Sequence, residues 1–137
     1  MVRITRAVEF SSSLRYRRPE LTDAENRRLF GRAAHPHGHN YRLEVTLAGE
    51  PDPVSGMVLD LKDLKDLLER EIVARFDHKD LVADTPFFEK DAPTPENLAA
   101  LIFRLLEAAL PAGMLAAVRL HPDADCFVDV TAPERTA

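Results

Sequence analysis

Ala33-Ala34-His35-Pro36-His37-Gly38-His39-Asn40-Tyr41 runs straight on into Arg42-Leu43-Glu44-Val45-Thr46-Leu47. Tyr41, Leu43, Val45 and Leu47 are apolar and the residues between them polar, the period-two pattern of a half-buried strand. Three of the chain's five histidines therefore sit at the mouth of a strand, at spacing i, i+2, i+4. Alternate residues of an extended chain point to one side. These imidazoles can share a face, and imidazole is the commonest metal ligand. Gly38 leaves room for close approach between His37 and His39. Solvated loop histidines would give the same spacing, so the pattern leaves both readings open.

Around this stretch the composition is that of an ordinary globular chain. With 137 residues, 45% of them hydrophobic and 30% charged, one domain over 1–137 with a real core is expected. A net charge of −5 and no long basic block give nucleic-acid binding little support. No apolar run approaches the ~20 residues of a membrane span. Met1-Val2-Arg3-Ile4-Thr5-Arg6 lacks the apolar core of a secretory signal. One cysteine, Cys126, excludes an intrachain disulfide, and a reducing cytoplasm is the expected setting.

The flanking elements follow from periodicity. Val2 to Phe10 alternates as a strand, with a bulge expected near Arg6 and an end at Ser11-Ser12-Ser13. Thr22-Asp23-Ala24-Glu25 reads as a capping box that opens a short helix stopped by Gly31. Met57-Val58-Leu59 reads as a short extended piece. Asp60 caps a helix on which Leu61, Leu64, Leu68 and Ile72 recur, running to about Phe76. Thr94 as N-cap and Pro95 as first residue open a second long helix, with Leu98, Leu101, Ile102, Leu105 and Ala109 as its stripe. Ala116 to His121 and Cys126 to Thr131 form a last hairpin, with Cys126 expected to be buried. The order β-β-α-α-β-β, with a small helix inserted between the first two strands, is α+β: a four-stranded antiparallel sheet with two helices on one face.

Several short motifs occur in order: Phe10-Ser11-Ser12-Ser13, Leu29-Phe30-Gly31-Arg32, His37-Gly38-His39-Asn40-Tyr41, Asp52-Pro53 with Gly56-Met57-Val58, Asp60-Leu61-Lys62, Asp77-His78, and Pro93-Thr94-Pro95-Glu96-Asn97. With them the chain resembles the 6-pyruvoyl-tetrahydropterin synthase / 6-carboxytetrahydropterin synthase family from about Phe10 to Val130. The resemblance implies the tunnelling fold, in which sheets join into a trimeric barrel, two barrels stack into a hexamer, and active sites lie between subunits. It also implies a dihydroneopterin triphosphate substrate in tetrahydropterin or queuosine biosynthesis. Zinc acts there as Lewis acid, a cysteine thiolate as base, an Asp-His pair assists, and a glutamate anchors the pterin.

Carried over position by position, His37 and His39 match two zinc histidines, Asp77 and His78 the Asp-His pair, and Thr94 and Glu96 the pterin-end motif. Three positions depart. The third zinc histidine is Leu14, the cysteine is Ala33, and the anchoring glutamate falls at Pro122. Catalytic zinc takes three protein ligands and an open position, so two histidines hold it poorly. A missing positioned base costs about 10²–10⁴-fold in rate. His35 could serve as third ligand if Pro36 bends the loop inward, since residues i and i+4 are otherwise ~13 Å apart. Asp123 could replace the glutamate if the hairpin shifts by one residue, and His121 is a weaker alternative ligand. Arg15, Arg17 and Arg18 read either as an anion-receiving loop or as a solvated one.

Two functions remain. One is an altered lyase that uses Asp77 and His78 on a pterin, with zinc on His37, His39 and His35. The other is a catalytically inactive homologue that binds a pterin or purine or serves as a scaffold in a homo-oligomer.

Overall fold

β1 (Val2–Leu14) and β2 (His37–Gly49) pair antiparallel along their whole length, from Val2 opposite Gly49 to Leu14 opposite His37. The computed structural model describes residues 1–133, so the last four residues of the expected 1–137 domain lie outside the described residues. The β1–β2 register is unbroken, so the bulge expected near Arg6 is absent. The irregularity lies instead in β4 (Leu115–Asp123), which skips Ala116 between its pairings with Thr46 and Leu47 of β2.

The serine run does not end β1, because every hydroxyl in it has a partner. Ser11 Oγ donates to Asn40 Oδ1 at 2.7 Å, Ser12 Oγ to the Phe76 carbonyl at 2.6 Å, and Ser13 Oγ to Asp80 Oδ2 at 2.8 Å. A polar residue whose groups are satisfied can stay in a strand.

With β3 (Lys79–Asp80) and β5 (Cys126–Thr131) the sheet has five strands, in the order β3-β1-β2-β4-β5. This corrects the four-stranded expectation. The added strand, β3 (Lys79–Asp80), has two residues and lies parallel to β1 at Ser12 and Ser13. It forms where the chain leaves the first long helix and its amides meet the carbonyls of β1: His78 N–H donates to the Ser11 carbonyl and Leu81 N–H to that of Ser13.

α1 (Asp23–Phe30) carries the expected capping box and stops at Gly31, at φ 62°, before a 3-10 turn over Gly31–Ala34. α2 (Leu61–Leu68) is capped by Asp60 and continues through a π turn (Glu69–Val73) into α3 (Ala74–Phe76). Leu64, Leu68, Ile72 and Phe76 are all fully buried. A strict spacing of four drifts around an α-helix, and the wider π turn takes that drift back, keeping the stripe on one face. Leu61, counted in the stripe from sequence, is 44% exposed. Met57 to Leu59 is irregular rather than extended.

α4 (Pro95–Ala109) starts at Thr94, whose Oγ1 accepts from the Asn97 amide, and buries Leu98, Ala99, Leu101, Ile102, Phe103 and Leu106. β4 (Leu115–Asp123) and β5 (Cys126–Thr131) close the sheet. α2 and α4 share one continuous core with the inward residues Val8, Phe10, Leu14, Tyr41, Leu43, Val45 and Leu47. The other sheet face is polar: Thr5 bonds Thr46, and Arg119 grips Asp129 through two nitrogens at 2.7 and 2.9 Å. No helix among the described residues is long and apolar enough to cross a membrane.

Candidate functional site

The strand register decides where the histidines point. His37 and His39 have the same parity as Tyr41, so they continue the inward face of β2 beyond the end of the core. Their rings lie 5.3 Å apart, edge to face, and His39 leans on Tyr41 at 5.4 Å. Tyr16, from the loop after β1, sets its ring 5.9 Å from His37. Gly38 between them has a specific steric reason: a Cβ there would stand 3.2 Å from the Ser12 carbonyl across the ladder.

Each imidazole turns its Nδ1 toward oxygen. His37 Nδ1–H donates to the His35 carbonyl at 2.7 Å, since a carbonyl can only accept. His39 Nδ1 lies 3.8 Å from Asp123 Oδ1, an ion-pair distance. The His37 bond is of the kind that fixes ring orientation in metal-ligating histidines and leaves Nε2 free. His35 therefore enters through its backbone. Its own exposed imidazole does not converge with the pair: among the described residues, the only three-donor set within 4.8 Å is Asp123, Asp125 and Cys126, all exposed on the last hairpin. Cys126 is exposed, which corrects the expectation that it is buried.

Leu14 stands directly opposite His37 and two residue pairs from His39, on the same face, and is 1% exposed. The position at which the resemblance expects a third imidazole holds a packed leucine. The residues present thus supply two donors of a zinc site and not the three that a catalytic zinc takes.

Two of the ligand-binding residues expected from sequence gather at this end. Burial, and after it the charge of Glu96 in the first turn of α4, raises the Tyr16 phenol above its ordinary value. Burial, then Tyr16, then Asp123 raise Tyr41 in the same way. Asp123 comes here because the β4–β5 pairing shifts between Leu120 and Asp123, beside Pro122, which has no amide to give. Such an irregularity re-aims a side chain. Thr94 spends its hydroxyl oxygen on the helix cap. Ala33 is half-buried, and its carbonyl takes the Tyr16 amide at 2.7 Å. His121 lies on the polar face opposite Arg42, with Nε2 3.6 Å from Glu44, away from the pair.

The Asp77–His78 pair is built differently. Asp77 Oδ1 accepts the Ser11 amide at 2.8 Å and Oδ2 lies 2.9 Å from His78 Nδ1. The Ser11 N–H first, then His78, hold the Asp77 carboxyl below the usual carboxylate range. His78 sits at φ 59°, the only non-glycine residue with positive φ among those described. A side chain in that region is strained. Its backbone is pinned there by the bond to Ser11, and its side chain is 85% exposed. The two ends meet in one open pocket of about 470 Å³, lined by His39, Gly38, Asn40, Ser11, Ser13 and His78.

Sequence reasoning missed Tyr16, Ser11 and Asp80. Asp80 ties β3 together: burial raises its carboxyl, but the Ala83 amide, the Ser13 hydroxyl and the Val82 amide outweigh it and lower it. None of these three has a pattern of its own, because each acts through a residue far along the chain.

A family profile described as 6-pyruvoyl tetrahydropterin synthase matches residues 3–133. The chain is 43% identical over 120 residues to the 6-pyruvoyl tetrahydrobiopterin synthase of Pongo abelii, covering 86% of this chain and 83% of that one. To the Homo sapiens protein of the same name it is 42% identical over 120 residues, with 86% and 83% covered. The solved structure of Caenorhabditis elegans 6-pyruvoyl tetrahydropterin synthase superposes with a TM-score of 0.89 at 33% identity, over 96% of both chains. With the sheet order, the histidine pair and the Asp-His pair already in place, these likenesses establish that the chain belongs to the 6-pyruvoyl tetrahydropterin synthase family.

Proposed function

We propose that the chain binds a pterin of the dihydroneopterin triphosphate type and eliminates triphosphate from it, by a chemistry altered at three positions. The observation that carries this is His78. A strained, solvent-facing imidazole is held 2.9 Å from a carboxylate that is itself anchored by an amide, and it opens into the pocket it shares with His39. Strain at a polar, outward residue marks function more often than packing. In the elimination, neutral His78 removes a proton from the carbon next to the one bearing the phosphate ester. The electron pair forms the new double bond, and the C–O bond to triphosphate breaks. Asp77 keeps the imidazole in the Nδ1–H tautomer and stabilises the imidazolium that results. Ala33 has no proton-accepting group, so His78 works without a thiolate. Glu96 and Asp123 supply carboxylates for the donor edge of the ring.

His78 faces outward and β5 leaves one sheet edge unpaired among the described residues. Both features support a site completed between copies of the chain, in a trimer or hexamer. A cytoplasmic setting fits a chain with one cysteine. His37 and His39 are the residues that would carry any zinc, so His37→Ala should abolish whatever metal the purified protein holds.

The test is to follow triphosphate release from dihydroneopterin triphosphate alongside pterin fluorescence on binding, in the native chain and in His78→Gln. The expected result is binding in both and a loss of release of about 10²–10⁴-fold in the variant. Binding without release in the native chain would instead establish the inactive homologue, the reading that Leu14 and Ala33 favour. Absence of both would overturn the pterin reading.

A further inference from the structure

Ser11 sends each of its polar groups to the same corner. Its N–H donates to Asp77 Oδ1 at 2.8 Å, its carbonyl takes the His78 N–H at 2.7 Å, and its hydroxyl donates to Asn40 Oδ1 at 2.7 Å. Ser11, Asn40, His39 and His78 all line the open pocket of about 470 Å³. Ser11 and Asn40 stand directly opposite one another in the β1–β2 register. Because the backbone groups of Ser11 turn the other way, to Asp77 and His78, the two form a pair without ladder hydrogen bonds, the kind in which side chains stand closest.

Asn40 itself is out of place by propensity, since asparagine is depleted in strands and this one lies inside β2. The chain's other two asparagines spend their side-chain nitrogen on backbone carbonyls: Asn26 on Arg18, Leu21 and Thr22, and Asn97 on Ala92. Asn40 does the reverse. Its oxygen is given to Ser11, and its nitrogen has no partner among the described residues. β4 pairs with β2 only as far as Arg42, two residues short of it. The strand that holds Ser11 has little freedom to move: the Ser12 hydroxyl is bonded to the Phe76 carbonyl at 2.6 Å, and the Ser13 hydroxyl to Asp80 Oδ2 at 2.8 Å. The amide donor is therefore fixed, nitrogen outward, to the residue that also anchors the Asp77–His78 pair. A donor held in place beforehand needs no reorganisation when charge builds in front of it.

We propose that the Asn40 side-chain N–H donates a hydrogen bond to the ligand oxygen next to the carbon that loses its proton to His78, and that Ser11 is the positioning residue that keeps donor and base together. Removing that proton pushes negative charge toward the neighbouring oxygen, and a neutral amide stabilises it there without giving up a proton of its own. No bond to Asn40 forms or breaks; the proton goes to His78 and the electron pair leaves with triphosphate. This role rests on the elimination reading, whereas the tie of Asn40, Asp77 and His78 to one serine does not.

The experiment is steady-state kinetics of triphosphate release from dihydroneopterin triphosphate, with pterin fluorescence for binding and melting temperature for folding. It compares the native chain with Asn40→Ala, Asn40→Asp, Ser11→Ala and Ser11→Thr. Both Asn40 changes remove the donor, and Asn40→Asp does so with the side-chain shape kept. The expected result is a kcat lower by about 10²–10³-fold in both, with KM and binding unchanged in Asn40→Ala, because the bond strengthens only as charge builds. Ser11→Ala should lower kcat by about 10-fold, the worth of one hydrogen bond, and Ser11→Thr, which keeps a hydroxyl, should restore it. A kcat that survives both Asn40 changes, or that falls only together with the melting temperature, overturns the donor and leaves the pterin reading standing. A native kcat in Ser11→Ala overturns the role of Ser11. A native chain that binds pterin without releasing triphosphate, or that does not bind it, overturns the elimination reading and this role with it.

Discussion

At His78 the backbone is held at φ 59°, an amide from β1 anchors the neighbouring carboxylate, and the imidazole stands 85% exposed. At His37 and His39 the backbone is ordinary strand, both rings are half-buried among aromatics, and the third position on the same face is a core leucine. One end of the pocket keeps a strained polar device that contributes nothing to packing. The other packs a leucine at position 14 beside its two imidazoles. The difference teaches that the two ends rest on different elements and different forces, packing at the one and a strained hydrogen-bonded corner at the other.

The largest effect should come from replacing that leucine. Leu14→His restores an imidazole opposite His37, with Nε2 of His37 and His39 already free. Zinc affinity should rise about 100-fold or more, since even outer partners of a ligand are worth about 10–100-fold. The apo variant should lose about 2–3 kcal/mol for the buried leucine that is removed, and zinc should return the stability. Elemental analysis and melting with and without zinc check both. Unchanged affinity would mean that the three positions do not share a face as the register places them.

Next in size is Asp77→Ala, which leaves the Ser11 amide in the β1 edge without its partner. An unsatisfied, part-buried donor costs about 1–3 kcal/mol, read as a lower midpoint in denaturant. The pH dependence has a definite sign. The folded carboxyl of Asp77 is lowered, so its stabilising contribution is complete above the unfolded carboxylate value near ~3.9. It is lost as pH falls through that value toward the lower folded one. Asp77→Asn should therefore flatten the acid limb of the stability curve below about pH 4 while it keeps an acceptor for Ser11. An acid limb identical to the native one would break the assignment.

The first long pairing was legible because alternation alone fixes it: Tyr41, Leu43, Val45 and Leu47 set the inward phase, and counting back by twos reaches His39 and His37. The helix caps at Thr22, Asp60 and Thr94 were legible because capping is local. β3 was not, since two residues carry no period, and its partners at Ser11 and Ser13 are more than sixty positions away. Cys126 was misread for an instructive reason. Counting back by twos from Val130 and Val128 puts it inside, but the register shift before the turn breaks the phase. The same shift brings Asp123 to His39, so the feature that defeated one expectation supplies the geometry of another. Tyr16 and its neighbour Glu96 lie eighty positions apart on a loop and a helix start, which no periodic argument joins.

Smaller still is the expected gain in His78→Gly. Removing the side chain relieves a positive φ worth of order 1 kcal/mol, and the exposed contact with Asp77 that is lost is worth less. The melting temperature should rise by about 3–4 °C although the proposed base is gone. A fall would show that His78 is held for packing, and the contrast between the two ends would lose its basis.

The finest probe is Gly38→Ala at the histidine end. Gly38 does not have positive φ, so no backbone strain enters. The whole effect is one contact, the new Cβ at 3.2 Å from the Ser12 carbonyl. Relief requires the two strands to part by a few tenths of an ångström, and Ser12 is poorly placed to give. It is 5% exposed, and its hydroxyl is committed to the Phe76 carbonyl at the end of α3. A loss of about 1 kcal/mol, at the low end of overpacking costs, is expected. The His78 corner, anchored through Ser11 one residue away, should feel the displacement. Amide exchange at Ser11 and Leu81 should quicken with it, because the bonds that hold β3 to β1 run through the same stretch of strand. A destabilisation without that change would mean that the two ends of the pocket are mechanically independent as well as chemically distinct.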